Sequence, residues 1–144
     1  MKARVLQDEA GRRVLAVVFD KGDEVVSGLT RLAEEYRITA GHVTGIGALS
    51  RVELGFFNRH TRTYDPLPTD GHVELLALTG NVTLNEGRPK VHLHAVVGMP
   101  DGSARGGHLL EATVWPTLEA FLTVLPAVIE RRMDEETGLA LIDL

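Results

Sequence analysis

Between Val91 and Gly98 the chain alternates strictly, with Val91, Leu93, Ala95 and Val97 on one side and His92, His94, Val96 and Gly98 on the other. A period of two marks a strand with two unlike faces. Pro100-Asp101-Gly102 follows, where proline presets φ at the first central position of a turn and glycine accepts a left-handed one. A type I turn closed by a glycine bulge makes a three-residue loop in which Met99 faces Ser103. Counting outward from that pair puts His94 opposite His108, with His92 two residues along on the same face. Gly106 and Gly107 carry no side chains just ahead of His108, which suits close approach of a ligand or of another backbone.

Other stretches read in the same way. Arg13–Phe19 is a Val-rich apolar run between Gly11 and Asp20, and predicts a strand. Across Asp20–Tyr36 the apolar residues Val25, Val26, Leu29, Leu32, Ala33 and Tyr36 trace one stripe of a helix, with Asp20 or Asp23 to cap it. Gly28 within it implies a tight helix–sheet contact. Ile38–Gly47 is extended and punctuated by glycine. A dinucleotide loop would need a helix next, but Ala48–Phe57 alternates as a strand, so its glycines fit a crowded backbone crossing. Arg59–Asp70, with Pro66 and Pro68, predicts a loop, with a short strand through Thr63–Tyr64. Gly71–Gly80 predicts a strand with His72 and Glu74 on one face. From His108 a strand runs to Trp115, with Leu110, Ala112 and Val114 on the histidine side and Pro116 as its end. Thr117–Leu125 alternates like a strand yet has helix-forming composition. Arg131–Thr137 reads as solvated charge, and Gly138–Leu144 as a strand-like tail.

Composition narrows the classes. The 144 residues suit one domain, with no repeat or linker. The absence of cysteine excludes disulfides and Cys-based zinc sites. The N-terminal residues offer no apolar core for a signal peptide, and no run is long enough to span a membrane, so the expectation is a soluble cytoplasmic protein. A net charge of −5 counts against nonspecific DNA binding, which depends on neutralising phosphates.

The chemistry worth testing lies in the histidines. Three neutral imidazoles converging from paired strands suit a divalent metal, zinc first, with a fourth position left for water or substrate. The plainer alternative is that they bond one another, the sheet edge or a neighbouring subunit. Glu74, Glu53 or a carboxylate from a neighbouring subunit is the candidate base if a metal-bound water reacts.

The runs GHVTGIGALSRVELGFF, GHVELLALTGNV and PKVHLHAVVGMPDGSARGGHL, with LEAFLTVL and RRMDEETGLALIDL at the end, resemble the plants and prokaryotes conserved (PPC) domain over about residues 10–144. The resemblance implies an α/β (α+β) fold, a mainly antiparallel sheet with one main helix, assembled as a homotrimer. It also implies that Thr117–Leu125 is a strand. Plant members join this domain to AT-hook segments that grip DNA. Here Glu86-Gly87-Arg88-Pro89 has Glu where the hook needs Arg, which leaves DNA binding unsupported. The pattern HxH…GGH of stand-alone prokaryotic members is present as His92, His94 and His108. Three readings follow: a metal-binding trimer with or without enzymatic activity, a DNA-binding regulator, and a scaffold whose histidines are structural.

Overall fold

The computed structural model describes the backbone of residues 1–144 and the side chains of all of them except Asp70. The order is β1 (Lys2–Glu9), β2 (Arg12–Phe19), α1 (Val25–Glu35), β3 (Ala40–Asn58), β4 (Thr63–Asn85), β5 (Arg88–Gly98), β6 (Ala104–Val124), β7 (Glu130–Met133) and β8 (Ala140–Asp143). Pairing is antiparallel except for a short parallel contact between β4 and β7, so the expected α+β class and single main helix hold. Among the described residues no helix is long and apolar enough to cross a membrane.

The four long strands close on one another. β3 pairs with β4 and β6, and β5 pairs with the same two. Their buried side chains, among them Leu49, Leu78, Leu93, Val97 and Leu122, form one cluster that takes in Leu29 and Leu32 of α1. Each such side chain contributes about 1.5–3 kcal/mol by leaving water. In β5 it is Val91, Leu93, Ala95 and Val97 that are buried, which leaves His92, His94 and Val96 on the other face.

The turn after β5 forms as its residues require. Met99 N donates to Ser103 O at 2.8 Å and Gly102 N to Met99 O at 2.9 Å. Gly102 takes φ +82°, a left-handed value that costs glycine little. Asp101 fastens the loop by accepting from Ser103 N at 2.9 Å and Ser103 Oγ at 2.6 Å. The ladder from Gly98–Ala104 then brings His94 opposite His108.

Several expectations need correction. α1 begins at Val25, and Glu24, rather than Asp20 or Asp23, caps it by accepting from Val26 N at 2.9 Å and Ser27 N at 2.7 Å. The tight contact at Gly28 is real, since a Cβ there would stand 2.5 Å from Phe19 Cε1. Most of the stretch read as a loop before Gly71 belongs to β4. Its Pro66 and Pro68 pair only with β3, on the side where no second neighbour needs their missing N–H groups. Pro116 does not end β6, because residues 115–117 fall in a break where neither β2 nor β3 pairs with them. Leu110 is an extra residue, since Leu54 pairs with Leu109 and Glu53 with Glu111. That bulge turns Ala112 and Val114 into the core, away from the histidine side.

At the N-terminus and in the charged segment near the C-terminus the structure adds strands. β1, in a polar stretch without alternation, lies at the sheet edge against β2. The charged segment after Glu130 opens with β7, whose Arg131 is half-buried and hydrogen-bonded. The strand-like tail is present as β8, paired with β7.

Candidate metal centre

The β5–β6 hairpin brings His92, His94 and His108 together on its outer face. Ring centroids are 5.3 Å apart for His92–His94, 5.1 Å for His92–His108 and 5.5 Å for His94–His108. One nitrogen from each ring lies within 4.8 Å of the others. Nitrogens bound to tetrahedral zinc at about 2.0–2.1 Å stand roughly 3.4 Å apart, so small side-chain rotations close the set. His94 is exposed, whereas His92 and His108 are half-buried. Gly107 serves packing here: a Cβ on it would sit 2.9 Å from Gly55 O.

The electrostatics favour the neutral form of His92 and His108. Burial, helped by the charges of His92, His94 and Lys90, pushes His108 down to about 4. Burial also lowers His92, with Arg131, His94 and Lys90 acting in the same direction. A neutral imidazole offers the lone pair that a metal needs. His108 Nδ1 is shut off from water with no hydrogen-bond partner, which costs about 1–3 kcal/mol. One nitrogen of each ring would hold a divalent ion, and an all-nitrogen donor set suits zinc.

Two further residues shape the site. Tyr64 of β4 stacks on His108 with ring centroids 4.4 Å apart and planes 20° from parallel. Arg131 of β7 donates from Nε to Thr83 Oγ1 at 2.7 Å, from Nη1 to Ala140 O at 2.8 Å and from Nη2 to Asn81 Oδ1 at 2.7 Å. With Lys90 and the β7–β8 hairpin they line a cavity of about 320 Å³ that opens beside His92 and His108. Neither residue stood out in the sequence, since Tyr64 sat in a predicted short strand before two prolines and Arg131 in a charged run.

Among the described residues, neither candidate base lines the cavity beside the histidines. Glu74 pairs across from Gly98 rather than near His94, whose partner on β4 is Thr79. Its carboxylate is 3.5 Å from His72 Nε2, and it lines a separate cavity with Trp115. Glu53 lies across from Glu111 and has Arg51 4.0 Å away.

A model of the Plants and Prokaryotes Conserved (PCC) domain matches residues 6–126. None of the curated proteins compared with the chain matches it. Among solved structures, a plant- and prokaryote-conserved (PPC) protein from Pyrococcus horikoshii is 29% identical with a TM-score of 0.85, over 99% of this chain and 95% of that one. A provisionally named DNA-binding protein from Bacteroides thetaiotaomicron is also 29% identical, with a TM-score of 0.87 over 98% and 96% of the two chains. A metal-containing protein from Archaeoglobus fulgidus is 32% identical, with a TM-score of 0.84 over 91% and 93%.

Proposed function

The chain belongs to the Plants and Prokaryotes Conserved (PCC) domain family, and on that premise we propose that it is a homotrimeric member holding one divalent metal ion, zinc first, on His92, His94 and His108. The observation that carries this reading is the convergence of three imidazole nitrogens within 4.8 Å. The metal-containing relative from Archaeoglobus fulgidus supports it. Such an ion, when bound, lowers the pKa of a bound water toward about 7 and polarises an oxygen ligand.

The chain's own residues supply the rest. Tyr64 holds the His108 ring by stacking, and Arg131 ties β7 to β4 so that the C-terminal hairpin walls the cavity. The base would be Glu53, two residues from the partner of His108, or a carboxylate of a neighbouring subunit, because Glu74 pairs away from the histidines. Trimer formation is supported by apolar side chains on the outer sheet face: Ile46 is 60% exposed, Leu76 53% and Phe121 52%. They line one cavity together, and contiguous exposed apolar surface on a sheet suits burial against another copy. The lack of cysteine suits the cytoplasm.

A second reading takes DNA as the partner, on the strength of the name of the Bacteroides thetaiotaomicron relative. The net charge of −5 opposes it. Elemental analysis and sedimentation of protein purified without a metal-affinity tag test the first reading. One zinc per chain in a trimer is expected; a metal-free monomer that is retained on duplex DNA as salt is lowered would replace it with the second.

A further inference from the structure

In a chain of net charge −5, the cavity beside the histidines has, among the described residues, no acidic residue in its lining and two basic ones, Lys90 and Arg131. Among the described residues no carboxylate lies within ion-pair distance of Arg131. A guanidinium has five N–H donors, and the three acceptors that Arg131 meets, Thr83 Oγ1, Ala140 O and Asn81 Oδ1, are all neutral. One N–H therefore remains on each of Nη1 and Nη2. N–H groups on both Nη atoms of one guanidinium take both oxygens of a single anion when they lie parallel. The side chain is already fixed by its three bonds, so it loses little freedom when it binds.

The remaining lining sets the size and character of the ligand. Val91, Met133, Leu139 and Leu141 give apolar contact, and about 320 Å³ falls at the small end of ligand pockets. His92 and His108 open onto the same space.

We propose that this cavity binds a small organic carboxylate, with its carboxylate on the Arg131 fork, its carbon body against the apolar wall and its remaining end toward the three imidazoles. This deepens the metal-site reading by naming the class of ligand that the site accepts. The charge of Arg131 is then neutralised by the ligand, which explains why a half-buried cation lacks an acidic partner.

Isothermal titration calorimetry on the full chain tests the proposal, with isovalerate, its neutral isostere isovaleramide and inorganic phosphate as probes. Zinc uptake is measured first. Failure to take up zinc removes the metal reading alone, and the same titrations on the metal-free chain then decide the carboxylate site. The expected result is that isovalerate binds and isovaleramide binds at least ten-fold more weakly. Arg131→Gln should weaken isovalerate by about ten- to a hundred-fold, the loss expected for a charge-assisted pair of bonds, with zinc stoichiometry retained. The wild-type comparison of acid and amide does not depend on any variant folding. Equal affinity for the two, unchanged affinity in a folded Arg131→Gln, or phosphate binding more tightly than isovalerate would overturn the proposal.

Discussion

Replacing His108 by phenylalanine separates what the imidazole does for an ion from what it does for the fold. In the metal-free chain its buried Nδ1 has no partner. A fully buried unsatisfied group costs about 1–3 kcal/mol, and the half-buried ring suggests the lower part of that range, about 1–2 kcal/mol. Phenylalanine removes this cost and keeps a ring against Tyr64, an aromatic pair worth about 0.5–1.5 kcal/mol. His108→Phe without metal should therefore melt about 2–8 °C above wild type at pH 7.5. Acid widens the gap. The unfolded chain protonates this imidazole near 6.5, whereas the folded chain does so only at about 4. Between those values the unfolded state holds the extra proton, so wild type loses stability as pH falls and the variant escapes that loss. Saturating zinc reverses the order, because a ligand bound only by the native state stabilises it in proportion to RT ln(1 + [L]/Kd). Thermal melts in EDTA and in zinc, at pH 7.5 and pH 5 and at matched chain concentration, measure all of this. A metal-free variant that melts below wild type at pH 7.5 would refute the reasoning, since it would give His108 a structural bond.

Three other substitutions probe the parts separately. His94 is exposed, so His94→Ala should change stability by no more than about 0.5 kcal/mol while stoichiometric zinc is lost, as read by melts and elemental analysis. Gly102→Ala forces a side chain onto φ +82°; it should cost about 1 kcal/mol in a denaturant titration and weaken zinc, because the turn sets the His94–His108 register. Glu24→Ala removes the helix cap and should cost about 1 kcal/mol in the same titration, with zinc affinity unchanged.

The histidine hairpin could be read from the chain because every instruction it needs is local. Alternation assigns the faces, and Pro100, Asp101 and Gly102 assign the turn. One ladder then carries that register to His108. The parts that escaped depend on neighbours distant in sequence. Pro66, Pro68 and Pro116 look like strand breakers until it is known that no partner needs their N–H on that side. The bulge at Leu110 reverses the faces of Ala112 and Val114, and nothing in their own spacing signals it. β1 is an edge strand, so it needs no buried face and carries no alternation. Arg131 looks like any other surface charge in a polar run; Thr83 and Asn81, about fifty residues earlier, give it a fixed position. Tyr64 likewise gains its role only when β4 crosses beside His108.

In the proposed metal centre three imidazoles share one ion. X-ray absorption at the metal edge, on protein purified without a metal-affinity tag, examines that directly. Three nitrogen neighbours at about 2.0–2.1 Å are predicted, with the stoichiometric metal signal lost in His108→Phe. A spectrum with only oxygen neighbours, or one that His108→Phe leaves unchanged, would contradict it.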